Sequence, residues 1–223
     1  MDTQTVPRRT RRRRRVVLEI VGVLLLLGVV VAAIVMRGGG EQREDLGSQP
    51  DIARELLAME RADQRARNAA IEEGGVVTED SDIGLEIARV DKRNTARLKE
   101  IIDDYGWPGR SLVGERASRS AWLLAQHADL DPKFQERALE LMEAMEPGEV
   151  DPRDIDFLKD RVLVAEGEEQ IYGTQFECRD GEVAPRTPIV DEKDVDERRA
   201  EVGLEPLDEY KASFRETYGD CKT

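Results

Sequence analysis

Ala117-Ser118-Arg119-Ser120-Ala121-Trp122-Leu123-Leu124-Ala125-Gln126-His127-Ala128 is the stretch around which the rest of the chain is arranged. From Ala121 to Ala125 it is apolar on every side, so a helix here is expected to be covered by neighbours all round. It ends in Gln126-His127, and His127 is the only histidine of the chain. A buried helix that delivers a polar pair at its end makes either a site or a well-satisfied core.

The flanking segments read as the rest of a helical bundle. Upstream, a helix over about 51–73 puts Ile52, Leu56 and Met59 on one face, and Asp63 continues that face one turn on. Residues 79–84 read as an acidic loop. A second helix, about 86–104, aligns Val90, Asn94, Leu98, Ile101, Ile102 and Tyr105, which points Asn94 inward and in need of partners. Gly106-Trp107-Pro108-Gly109 is a rigid turn into the central helix, expected over 115–129. Downstream, Asp131-Pro132 and Asp151-Pro152 are paired start signals, aspartate as N-cap and proline at the first helical position. The first opens a helix with Phe134, Ala138, Leu141, Met142 and Met145 on its face. The second opens one with Ile155, Leu158, Val162 and Ala165 on its buried stripe. The one β-signal is Gln170 to Cys178, with a turn at Arg179-Asp180-Gly181-Glu182 and a return over Val183 to Val190 weakened by Pro185 and Pro188. Helices over about 191–202 and 206–218 follow. The fold class expected is therefore mainly α, a compact helical bundle at 51–223 carrying a short β-hairpin near 170–190.

The N-terminus has another character. The chain has 223 residues and a net charge of −14, yet residues 1–37 hold eight arginines against Asp2 and Glu19. An acidic body repels phosphate, so nucleic acid is not an expected partner. Val16 to Met36 is 21 residues interrupted only by Glu19, about 31 Å as a helix and so a bilayer's width. The reading is a single-pass transmembrane helix at 16–36, after an arginine-rich cytoplasmic tail at 1–15 that touches anionic lipids and before a flexible linker at 37–50. This places the protein in the cell membrane with its C-terminal domain outside. A cleaved signal peptide is the rival, though the apolar run exceeds a usual h-region. Cys178 and Cys221, an even pair in an oxidising compartment, then suggest one bridge, with two reduced thiols as the other reading.

Several stretches in order resemble a bacterial family catalogued as a domain of unknown function, family 6624. They are Asp63-Gln64 with Arg67, Gly106-Trp107-Pro108-Gly109, Ser111-Leu112-Val113-Gly114, Ala121-Trp122-Leu123-Leu124 and Gln126-His127-Ala128-Asp129. Phe134-Gln135, Leu158 with Asp160-Arg161-Val162, Gln170 with Tyr172-Gly173-Thr174-Gln175, and Arg198-Arg199 with Gly203-Leu204 continue the series. The resemblance covers about residues 60–210. It implies one domain and carries no activity, cofactor or catalytic residue with it.

His127 is the sharpest candidate residue, a general base if a carboxylate orients it. Asp63 or Asp160 could reach it through the fold, and Asp160 is taken with His127 as the catalytic pair. The plainer reading is a helix-end histidine held structurally. Catalysis requires the ring to be partly open at a cleft and within hydrogen-bond reach of a carboxylate. Arg161 offers a fork of donors for a carboxylate or phosphate, or is simply an ion-pair partner. Gln170, Tyr172 and Gln175 are rich in donors and acceptors, suited to a polar ligand or to satisfying the hairpin. Asp63, Gln64, Trp107 and Gln126 complete the candidate ligand-binding set, with packing as the alternative for each. No zinc or calcium pattern, G-x-S-x-G or phosphate loop occurs, so neither a metal nor a cofactor is expected. These absences favour a membrane-anchored binding or interaction module for a polar ligand or protein partner. The alternative is a hydrolase or transferase with His127 as base, Asp160 or Asp63 orienting it, and Arg161, Gln170 and Gln175 holding substrate.

Overall fold

The computed structural model describes residues 45–72, 81–218 and 221. They belong to one unit, Asp45–Thr223. Helix α1 (Pro50–Glu72) and α2 (Asp82–Tyr105) are followed by a single helical turn, α3 (Arg110–Val113), and then by the central α4 (Glu115–Gln126). Next come α5 (Pro132–Glu143), α6 (Pro152–Glu166), the hairpin β1 (Phe176–Arg179) and β2 (Glu182–Pro185), α7 (Val195–Glu201) after a 3-10 turn, and α8 (Leu207–Tyr218).

The ends of these helices follow from local chemistry. Asp131 accepts from the Phe134 N–H and Asp151 from the Arg153 N–H, each with proline at the next position. Helix α2 starts a turn earlier than its apolar period indicates, because Ser81 caps the Gly84 N–H at 3.0 Å. Asp82 then stands in the first turn, where the helix dipole favours an acid.

Helix α4 is packed against α1, α2, α3, α5 and α6. Ala117, Ala121, Leu124 and Ala125 are buried and join Leu56, Leu98, Ile101, Phe134, Met142 and Leu158 in the main core. Each large member contributes roughly 1.5–3 kcal/mol by leaving water. The expectation that α4 is covered all round does not hold, since Trp122 and Leu123 are only half-buried and face open hollows. A second, smaller core joins Phe176, Val183, Ile189, Val195 and Leu207 under the hairpin.

The β-segment is shorter than its composition suggests. Phe176 to Arg179 forms the ladder, antiparallel to Glu182–Pro185, through an Asp180-Gly181 turn in which both residues have positive φ, while Gln170 makes an isolated parallel bridge to Ile189. Residues 170–175 instead wrap the carboxylate of Asp160, which accepts from the N–H groups of Ile171 (2.7 Å), Tyr172 (3.2 Å) and Thr174 (2.9 Å). Donors given to a buried carboxylate are lost to a ladder, which is why the strand starts late. Cys178, in β1, and Cys221, beyond α8, are joined by a disulfide.

The single-pass architecture needs correction. No helix among the described residues is long and apolar enough to cross a membrane. The long helices α1 and α2 are amphipathic, with charged outer faces, and cannot serve as spans. Residues 16–36, where the span was expected, and the arginine-rich 1–15 lie outside the described residues, as does the acidic stretch at 79–80. The transmembrane helix, the cell-membrane localisation and the lipid-facing tail are therefore withdrawn. The supported architecture is a mainly α domain with a short hairpin.

Candidate active site

His127 sits on the C-terminal cap of α4, at φ −89° and ψ 7°. Asp63 comes from α1, one turn beyond Met59 on the buried face, and is fully enclosed. The two meet, with His127 Nδ1 lying 2.9 Å from Oδ1 and 3.0 Å from Oδ2 of Asp63. Asp63 also accepts from Arg67 Nη1 at 2.7 Å and from Gln64 Nε2 at 2.9 Å. Arg67 in turn forks onto both oxygens of Asp91 in α2, each at 3.0 Å. The result is a line of charge, Asp91–Arg67–Asp63–His127, that ties α1 to α2 and to the end of α4.

Burial by itself would raise the pKa of Asp63. The hydrogen bond and charge of His127, then Arg67 and Gln64, outweigh it and hold the carboxyl below its usual value. Asp91 moves the other way, because burial outweighs the pull of Arg67. In the neutral ring an ionised Asp63 fixes the tautomer: Nδ1–H donates to Asp63, which leaves Nε2 as an acceptor. Nε2 has no hydrogen-bond partner among the described residues. The His127 side chain is 17 % exposed.

What it faces is a cavity of about 420 Å³, walled by Trp122, Phe157, Phe176, Tyr210 and Phe214. Polar groups break this apolar wall at Gln126, Arg161, Thr174 and Gln175. Two of them hold buried atoms without a partner, Oε1 of Gln126 and Nε of Arg161. A buried polar atom left unpaired costs roughly 1–3 kcal/mol, and unpaired atoms around a cavity suit a ligand that supplies the missing partners. Arg161 is held in place by Asp129, at 2.7 and 2.9 Å from Nη1. Gln135 pins the same helix end, its Nε2 donating to Gln126 O (3.0 Å) and Asp129 Oδ1 (3.1 Å).

The remaining candidates fall outside this constellation. Asp160 does not meet His127, because its oxygens are taken up by the 170–175 loop and by Thr174 Oγ1 at 3.0 Å. Its burial raises its pKa against the pull of those donors. Gln170 is fully buried and holds Gln175 O and Thr187 O, so it staples the loop. Gln175 borders the cavity, yet its Nε2 donates to Thr174 Oγ1 and to Phe157 O. Tyr172 stands beside Asp156, where burial and that carboxylate push its phenol up to about 12. Trp107 lies in the main core, and Gln64 supports Asp63. Trp122, Phe157, Asp91 and Gln135 belong to the site without having been singled out. Of these, Trp122 and Gln135 lay inside the motifs of the family resemblance, whereas nothing local in the sequence marks Asp91 or Phe157.

The expectation of a membrane-anchored module that only binds is overturned here. The anchor is withdrawn, and the lone histidine is oriented by a buried carboxylate at an open cavity, as a base requires. Comparison with curated proteins and with solved structures gives no match. The model of a family of unknown function does match, over residues 50–222. That span covers most of the chain and contains every residue of the site, so the protein belongs to the family of unknown function DUF6624.

Proposed function

We propose that the domain is a hydrolase or group transferase in which His127 is the general base and Asp63 its orienting carboxylate. The observation that carries this reading is the 2.9 Å contact of Nδ1 with a buried, ionised Asp63, which leaves Nε2 open at the cavity. Nε2 would take a proton from water or from an acceptor hydroxyl as its oxygen attacks the substrate. The imidazolium formed is stabilised by Asp63 and returns the proton to the leaving group. Thr174 offers the cavity a hydroxyl, but it already donates to Asp160 and accepts from Gln175. This favours direct attack over a covalent intermediate on that side chain. Gln126 Oε1 would accept from the substrate, and Arg161 Nε would donate to charge developing on it.

The test is a turnover screen of the full chain on ester, phosphoester, amide and glycoside substrates, paired with His127→Gln. Loss of turnover by roughly 10²–10⁴-fold, with the thermal midpoint nearly kept, supports the base. Turnover that survives His127→Gln removes it. A wild-type protein inactive on every class would leave His127 and Asp63 as a structural pin and defeat the proposal.

A further inference from the structure

Trp122, Phe157 and Tyr210, which wall the His127 cavity, also wall a second hollow of about 260 Å³. They stack edge to face, Trp122 on Phe157 at 6.2 Å and Phe157 on Tyr210 at 5.9 Å between ring centroids. Three arginines from three helices converge on this second hollow: Arg119 of α4, Arg153 of α6 and Arg199 of α7.

Arg199 is the unusual one. It is wholly buried, and its guanidinium donates only to backbone carbonyls, Nε to Glu205 O at 2.6 Å and Nη1 to Tyr172 O at 2.7 Å and Gly173 O at 3.2 Å. Its Nη2 has no partner. Among the described residues no carboxylate lies within ion-pair distance of it. Glu205, Asp196 and Asp160 act on it only from longer range, and its guanidinium lies over the Tyr210 ring, 5.1 Å from the centroid. An enclosed cation with no carboxylate in direct contact is costly. Arg119 is exposed and lies over the Trp122 ring, 5.8 Å from its centroid. Arg153 is exposed and paired with Asp151 at 2.8 Å. The acids at the hollow are Asp154 and Glu205. Burial pushes the Asp154 carboxyl up to about 7, so near neutral pH it is protonated for much of the time and can donate to an incoming oxygen.

We propose that this second hollow binds an organic oxyanion, a phosphate or carboxylate group carried on a flat ring that rests against Trp122 and Tyr210. Guanidinium groups recognise such oxygens through paired donors, and the aromatic wall suits a ring face. A water's share of volume is about 30 Å³, so the hollow has room for more than a bare inorganic anion. The site does not depend on His127 acting as a base.

The test follows the indole N–H signals of Trp122 and Trp107 by NMR in the full chain, with Trp107 in the core as internal control. Phenyl phosphate, benzoate, inorganic phosphate and phenol are titrated in turn. Saturable movement of the Trp122 signal, with phenyl phosphate or benzoate at least tenfold tighter than both inorganic phosphate and phenol, supports the site. The tighter of the two also tells which oxyanion it prefers. Arg119→Gln combined with Arg153→Gln, both on the surface, should weaken the better probe by at least tenfold. His127→Gln should leave that affinity unchanged. No saturable shift with any probe, equal affinity in the double arginine variant, or loss of binding in His127→Gln would each overturn the proposal, the last by placing the ligand in the other cavity.

Discussion

Asp63 and Asp154 are both buried aspartates, and their surroundings drive them in opposite directions. Asp63 is surrounded by donors from His127, Arg67 and Gln64. Replacing it with asparagine removes the charge that holds the proton on Nδ1. Asp63→Asn is expected to lower turnover by roughly a hundredfold or more on any substrate the wild type accepts. It should also alter the histidine tautomer, which ¹⁵N NMR of the ring reads without any substrate. An unchanged ring spectrum would show that Asp63 does not orient it. Asp154 has no such set of donors, and burial raises its carboxyl from 3.8 to about 7. Between those values the unfolded chain loses a proton that the folded chain keeps. Stability therefore falls as pH rises through that window, by at most about 4 kcal/mol from linkage. Asp154→Asn is expected to raise the thermal midpoint at pH 8 and to change it little at pH 4. Equal shifts at the two values would count against a raised carboxyl.

At the scale of elements, the caps carry weight that can be measured one at a time. Asp131→Ala and Asp151→Ala are each expected to cost about 1 kcal/mol in chemical denaturation. Both aspartates also hold a surface cation, Lys99 and Arg153 respectively, which adds little. Gly114, between α3 and α4, is a different case. Its φ is +79°, and a Cβ there would run into the backbone carbonyl of Asp45. Gly114→Ala is expected to destabilise by roughly 1–3 kcal/mol from strain alone and to free the segment that bonds Ser48 N to Ser111 O and Gln49 N to Leu112 O. Hydrogen exchange at Ser48 and Gln49 checks this, and slow exchange in the variant would contradict it. The sequence reads well at this scale. Apolar spacing and the two Asp-Pro starts mark the helices to within a turn, because capping and amphipathicity are local. The 170–178 strand misleads for the opposite reason, since its donors are claimed by Asp160 from another helix.

For the molecule as a whole, the two hydrophobic clusters are unequal, and the Cys178–Cys221 bridge belongs with the smaller one. Its ends are 43 residues apart, which corresponds to about 4 kcal/mol in the chain-entropy model. Reduction is expected to lower the thermal midpoint and to speed amide exchange in β1, β2 and α8 well before α1, α2 and α4. Uniform acceleration would mean that the two clusters unfold together.

The sequence by itself determined the longer helices, the two Asp-Pro starts and the family, because periodicity, caps and ordered motifs are properties of neighbouring residues. It also marked His127 as the one imidazole worth placing. Only the tertiary structure decided which acid meets that ring. Asp63, 64 residues away, reaches it, while Asp160 is spent on a loop. It also decided that Arg199 is enclosed with no carboxylate in direct contact and that Trp122 opens onto three hollows. The physical reason is that a stripe of apolar residues reports which face is turned inward, and is silent on what the fold sets opposite it.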